Sequence, residues 1–179
     1  DQPRSRGLGD VYKRQEIDGL VHSVGFAPAD QISGNIEDSI TREGFAITHD
    51  VSAYSFAGLV KEAYPYMSEN SSIITLTYIG SQQATPNYNV MGMAKASLEA
   101  SVRYFAATLG SKGIRVNSIS PGGVWRNQPN KFVERYESRT PLGRMATEED
   151  FKGVVAYLAS NLSAYVTGQN IVVDGGCTA

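Results

Sequence analysis

Hydrophobic and polar positions follow two rhythms along the chain. Residues 17–26, "IDGLVHSVGF", form a short apolar run ending in Ser23 and Gly25, which predicts a buried strand emerging into a loop. The polar residues 27–35 read as that loop. Over 41–67, Phe45, Ile47, Val51, Phe56, Leu59, Val60 and Ala63 recur at three- and four-residue spacing, predicting one long helix that ends near Pro65. "SSIITLTYIG" (71–80) is continuous and β-branched, hence a second buried strand. Over the proline-free residues 87–109, Val90, Ala94, Leu98, Val102, Phe105 and Leu109 form one apolar stripe at helical period, with Gly110 and Gly113 as stop signals. "IRVNSIS" reads as a third strand leading into the loop "PGGVWRNQP". Helical patterns follow at 131–138 and 147–160, the latter opened by Thr147 as cap with Glu149 and Asp150 as first-turn acids, and "QNIVVDGG" is the last strand.

Strands alternating with helices predict an α/β fold: a mostly parallel, doubly wound Rossmann-type sheet with helices on both faces, a three-layer sandwich. Such a domain ordinarily opens with a strand, a glycine-rich turn and a helix whose amides hold a pyrophosphate. Gly7 and Gly9 follow no strand, so residues 16–179 are expected to form the C-terminal part of a larger domain. The first fifteen residues carry Arg4, Arg6, Lys13 and Arg14 with no apolar periodicity and no signal-peptide core. Their run "DVYKRQ" resembles the translation of a sequencing-adaptor end, so 1–15 read as a non-native or disordered tail.

With 179 residues and 41% hydrophobic content, one domain with a sizeable core is expected. A formal charge of −2 provides no basic stripe for nucleic acid, and no run approaches the ~18 apolar residues of a membrane span. A small-molecule partner is favoured. Cys177 is the only cysteine, which suits a reducing cytoplasm and leaves no thiol cluster for a metal. His22 and His49 lack cysteine partners and read as structural rather than metal-binding; Asp50 reads as a structural helix residue.

In "PNYNVMGMAKASLEASVRY", Tyr88 precedes Lys95 by seven residues. On a helix that spacing is a turn of ~700°, so the two share nearly one face. A phenol titrates near ~10 and a nearby ammonium favours its phenolate, so Lys95 is expected to draw the Tyr88 pKa down. By spacing alone, two polar residues on a solvated face remain the alternative. The neighbours add to this. "IDGLVHSVGFAP", "ITREGF", "HDVSAYSF", "ITLTYIG", the stretch around Tyr88 and "GIRVNSIS" together resemble enoyl-acyl-carrier-protein reductases, a branch of the short-chain dehydrogenase/reductases in which six residues separate tyrosine and lysine.

The resemblance covers about 17–120 and implies roles by position. Tyr88 matches the tyrosine that hydrogen-bonds the thioester carbonyl, Lys95 the lysine that holds the nicotinamide ribose, and Tyr78 a second catalytic tyrosine. Ser23, Val24 and Gly25 match cofactor-lining residues, and Phe26 and Ala27 fall, with Tyr78 and Tyr88, where acyl substrate is met. Pro121, Gly122, Gly123 and Val124 suit a cofactor loop whose glycines let backbone approach the ligand. Asn127 could replace a threonine contact of the family, and Trp125 reads as packing. The implied activity is reduction of the 2,3-double bond of a trans-2-enoyl thioester on acyl carrier protein, in fatty-acid synthesis. NAD(H) is the expected cofactor, with NADP(H) left open, and a cytoplasmic homotetramer is the expected assembly.

After Ser120 the pattern changes. "SPGGVWRNQPNKF" departs from the enoyl reductase pattern, while "PLGRMATEED", "YLAS" and "YVTGQNIVVDGG" resemble ordinary short-chain dehydrogenases. The chain is then either a divergent member or two related coding sequences joined near "RVNSIS". An ordinary dehydrogenase acting on a ketone or alcohol, such as a 3-oxoacyl thioester, is the alternative enzyme. A non-catalytic fragment that exposes the edge of its first strand is the alternative outside enzymes.

Overall fold

The structure is a computed structural model and describes residues 16–179; the tail read at 1–15 lies outside the described residues. Four strands, β1 (Ile17–His22), β2 (Met67–Leu76), β3 (Arg115–Pro121) and β4 (Asn170–Val173), pair in that order, every pair parallel. Parallel neighbours require crossovers, and the helices supply them: α1 (Ile36–Ser39), α2 (Arg42–His49), α3 (Ser55–Ala63), α4 (Asn89–Leu109), α5 (Asn130–Glu137) and α6 (Glu149–Ala159).

Adjacent residues of β2 commit the sheet to two cores, because successive side chains leave a strand on opposite faces. Ile73 packs with Phe56, Val60, Leu98, Val102 and Val116, beneath α3 and α4. Ile74 packs with Ile119 and Leu158, beneath α6. The predicted three-layer arrangement is what these two clusters build. On the second face, the buried Arg115 guanidinium donates to Leu158 O at 2.8 Å, Ser163 Oγ at 2.6 Å and Ser160 O at 3.2 Å. It satisfies the carbonyls that α6 leaves unpaired at its C-terminus and places a cation at the negative end of the helix dipole.

Several boundaries differ from the sequence pattern. The predicted long helix over 41–67 is two helices joined by a π turn at Asp50–Tyr54. Such a turn inserts an extra residue and redirects the side chains around it. Here it buries Ser52, whose Oγ bonds both the N–H and the C=O of Phe26 at 2.8 Å and so ties the loop after β1 to the helix layer. β2 starts at Met67, four residues before the β-branched run, and Ser68 Oγ donates to Asp18 beside it. Residues 64–66 are a 3₁₀ turn around Pro65. Ala29–Ile32, inside the expected loop, is another. At α6 the first-turn acid does the capping: the Asp150 carboxylate accepts from Thr147 N–H and Oγ1 and is held by Arg144.

All four strands run the same way, so their carboxyl ends lie at one edge. The loops after β1, β2, β3 and β4 gather there, where ligands bind in open α/β sheets. Among the described residues no helix is long and apolar enough to cross a membrane.

Leu98 is fully buried under the sheet, whereas Leu162 is 82% exposed. Leu98→Ala is expected to lower the free energy of unfolding by about 2–5 kcal/mol, and Leu162→Ala to change it by less than ~0.5 kcal/mol, read by urea titration.

Candidate active site

Tyr88 does not lie in α4. It is the residue just before Asn89, with φ −115° and ψ −27°, so the shared-face argument of the sequence reading does not carry over. What brings the residues together is the turn after β2. Tyr78 follows the strand at φ −159°, and a 3₁₀ turn at Ile79–Ser81 carries the chain back against the start of α4. The rings of Tyr78 and Tyr88 meet edge to face with centroids 4.8 Å apart, a favourable quadrupole arrangement. Gly80 and Gly92 permit it. A Cβ on Gly80 would fall 2.6 Å from the Tyr88 ring, and one on Gly92 would fall 2.7 Å from the Gly80 carbonyl oxygen. The Tyr88 ring faces a cleft of about 360 Å³ shared with Ile36, Gly80, Gly92 and Met93. Tyr78 faces a second, of about 250 Å³, with Ser120, Pro121, Gly122, Tyr136 and Cys177. The edge-to-face pair stands between the two.

Burial sets the charge state of each group. The Tyr88 phenol is pushed well above its ordinary value, first by desolvation and then by Tyr78 alongside. The expected lowering by Lys95 is overturned: a group taken out of water prefers its neutral form. Tyr88 therefore keeps its proton at neutral pH and is a donor rather than a base. Lys95, only 7% exposed, donates from Nζ to Leu76 O at 2.9 Å. Burial lowers its pKa to about 8 while Glu99 pushes it back up, so most of the population remains an ammonium at pH 7. An ammonium has three donors, and Leu76 uses one. The Nζ lies beside Gly25, where a Cβ would sit 3.5 Å from it.

The remaining sequence-predicted residues divide. Gly25 and the backbone of Phe26, anchored by Ser52, border Lys95. Ser23 is exposed, Val24 and the Phe26 ring are about half exposed, and Ala27 is partly buried. Pro121 and Gly122 line the Tyr78 cleft. The glycines of that loop are needed for the protein's own contacts: a Cβ on Gly122 would lie 2.7 Å from Asp174 Cα, and one on Gly123 would lie 2.7 Å from the Tyr136 ring. Val124 bridges Ala146, and Asn127 is an exposed turn residue at φ +60° that lines neither cleft. Trp125 is half exposed and its N–H donates to Ala146 O. His22 is structural, its ring nitrogens bonded to Thr75 Oγ1 and Ser55 Oγ at 2.9 Å each. Its pKa is lowered by burial and then by Lys95. His49 stacks on Phe45 and bonds the Phe45 carbonyl.

Three residues were missed. Glu99, four residues after Lys95 and 5% exposed, accepts from Thr77 Oγ1 at 2.8 Å, Gln82 Nε2 at 3.1 Å, Asn170 Nδ2 at 3.4 Å, and Ser81 Oγ. Its i,i+4 spacing from a lysine was the available signal, since both sit close to the apolar stripe of α4. Tyr136 accepts the Gly123 N–H on its hydroxyl, and burial pushes its pKa up. Ser52 gave no signal, because only the π turn aims it at the β1 loop.

Comparison with known proteins agrees with this geometry. The family model described as enoyl-(acyl carrier protein) reductase matches residues 10–178, running through Ser120. The NADH enoyl-acyl-carrier-protein reductase FabI of Salmonella typhimurium is 45% identical over 175 residues, covering 94% of this chain and 66% of that protein. FabI of Neisseria meningitidis is 47% identical over 184 residues, covering 98% and 70%. The crystal structure of the NADH enoyl-acyl-carrier-protein reductase of Aquifex aeolicus superimposes with a TM-score of 0.86 at 36% identity, covering 96% of this chain and 68% of that one. The chain thus spans about two-thirds of the length of these relatives. With a family match across nearly all of its residues, this chain belongs to the enoyl-(acyl carrier protein) reductase family.

Proposed function

We propose that the site reduces the carbon–carbon double bond of an enoyl thioester carried on acyl carrier protein, with NADH as reductant. The observation that carries the reading is the edge-to-face Tyr78–Tyr88 pair in which Tyr88 is held protonated, with a buried ammonium at the adjacent strand end. Lys95, with donors left over and Gly25 open beside it, fits the ribose hydroxyls of a nicotinamide cofactor. When bound, that cofactor supplies the hydride. The chain's own part is electrostatic. As the β-carbon takes the hydride, negative charge moves to the thioester oxygen, Tyr88 donates a hydrogen bond to that oxygen, and a proton from solvent then adds at the α-carbon to complete the saturated thioester. Tyr78 packs the Tyr88 ring in place and adds a second phenol at the same strand end. The Lys95 ammonium keeps the local field positive where that charge develops, in a setting where partial burial strengthens it.

The reading extends to assembly and place. The charge balance and the lack of a spanning helix among the described residues are compatible with a cytoplasmic enzyme, and a homotetramer remains the proposed assembly. Residues 16–179 are proposed to act as the C-terminal part of the nucleotide-binding domain.

In a protein that carries these residues within a whole nucleotide-binding domain, NADH oxidation is expected with a trans-2-enoyl thioester and not with a 3-oxoacyl thioester; the reverse preference would replace this reading with an ordinary ketone reductase. Tyr88→Phe removes the donor, and kcat is expected to fall about 10²–10³-fold with KM for NADH unchanged. Gly80→Ala drives a methyl into both tyrosine rings. It is expected to reduce kcat more than tenfold while the circular dichroism spectrum is retained.

Lys95 also makes a stability prediction. Moving an ammonium from 10.5 to about 8 corresponds to a cost of roughly 3 kcal/mol. Below pH 8 both folded and unfolded chains hold the proton, and the full cost applies. Between pH 8 and 10.5 the folded chain releases it first, so the cost fades as pH rises. The melting midpoint of the wild type is therefore expected to rise relative to Lys95→Met across that window. A pH-independent difference would contradict the burial argument.

A further inference from the structure

Among the described residues, Glu99 is the one buried carboxylate to which four separate side chains converge, and none of them is assigned a part in the reaction. Two of the donors, Thr77 and Ser81, bracket Tyr78, and a third, Gln82, closes the same turn. The fourth, Asn170, stands at the start of β4 and also donates to Ser120 Oγ at 2.9 Å. One helical turn earlier, Lys95 holds the carbonyl of Leu76, the residue before Thr77. Residues 76–82 are thus fastened to α4 at both ends, by an ammonium and by a carboxylate on adjacent turns of the same helix.

We propose that Glu99 is a positioning residue that fixes Tyr78 against Tyr88 by clamping both sides of the turn that carries it. This rests on the reading of Tyr78, Tyr88 and Lys95 as the reactive site. A buried carboxylate is costly unless its lone pairs are filled, and here both oxygens are engaged by hydroxyl and amide donors. A core stripe of Val90, Ala94, Leu98 and Val102 would be served better by an apolar residue at position 99, so packing gives no reason for an acid there. The backbone gives one. Thr77 N–H is bonded to Ile119 O across β3, which fixes the turn's first residue. Beyond that point Tyr78 and Ile79 leave the sheet; backbone bonds from Ser81 N–H to Tyr78 O and from Gln82 N–H to Ile79 O shape the turn, and the side-chain bonds to Glu99 tie it to α4. Glu99 and His22 are the titratable groups that act on Lys95 from the elements packed around it, so a change at position 99 is also reported by Lys95.

The test is nuclear magnetic resonance on the 179-residue chain with ¹³C-labelled lysine side chains and tyrosine rings. Glu99→Gln keeps the shape and removes the charge. Glu99→Asp keeps the charge and withdraws it by one methylene. In the Gln variant the Tyr78 ring signals are expected to move and broaden, and the Lys95 titration midpoint to drop by about half a pH unit or more. In the Asp variant only the Tyr78 signals are expected to move. Should Gln prevent folding, Thr77→Val removes one donor, leaves the carboxylate, and is expected to move the Tyr78 signals by itself. Unchanged Tyr78 signals in the folded variants, or a Lys95 midpoint that moves alone, would overturn the proposal. These signals do not depend on turnover, so they decide the role of Glu99 even if the chain reduces no thioester.

Discussion

The contact on which the site depends is the hydrogen bond from the buried Lys95 ammonium to the Leu76 carbonyl at the end of β2. A lysine there works against folding, since its charge is taken out of water with one backbone acceptor and a carboxylate on the next turn for company. Stability alone would favour an apolar residue in line with the stripe of α4. The sheet tolerates the charge because the two cores on its faces are formed elsewhere, around Ile73 and Ile74. A free-energy cost held at one strand end, next to an open glycine, is the usual balance between stability and a site that must bind charge.

The state of Tyr88 follows from the same dryness. A phenol at the surface beside an ammonium would be drawn toward phenolate, whereas burial against Tyr78 keeps it neutral. This distinction selects the chemistry. A neutral phenol can stabilise an oxygen that gains charge, and it is a poor group for removing a proton from an alcohol. The edge-to-face packing also limits ring rotation, so the hydroxyl is set before any substrate arrives. That preorganisation is where electrostatic catalysis gains over water.

How much of this was legible in the sequence depended on whether one local pattern decided the outcome. Residues 71–76 and 115–120 read correctly as strands because their β-branched runs are buried on both faces, and 89–109 read correctly because one stripe and two glycines define it. The π turn at 50–54 was invisible, since spacings of three and four residues continue through it. Tyr88 was placed in a helix because no proline intervenes, yet the turn at 79–81 packs its ring and leaves it one residue outside. Glu99 was passed over for a related reason. Its partners Thr77, Ser81, Gln82 and Asn170 come from the turn after β2 and from β4, and nothing local in "KASLEA" reveals them. Resemblance to a family pointed to Tyr78, Tyr88 and Lys95, but only packing supplied their protonation and supports.

The segment after Ser120 keeps the strand ends in order through its backbone. Gly122 N–H is taken by Val173 O, which extends the β3–β4 pairing one step past the strand. Gly123 N–H is taken by the Tyr136 hydroxyl, and its carbonyl accepts the Ala146 N–H. With these groups satisfied by α5 and the segment before α6, the loop lies flat against Asp174, whose carboxylate is itself filled by Gly176 N–H, Thr178 N–H and Thr178 Oγ1. Gly122 and Gly123 are each required by the packing, because a side chain at either would strike the protein. Tyr136 is fixed by that bond in the cleft that Tyr78 also lines. Tyr136 of α5 and Tyr78 of the turn after β2 therefore shape one cleft from two separate stretches of chain.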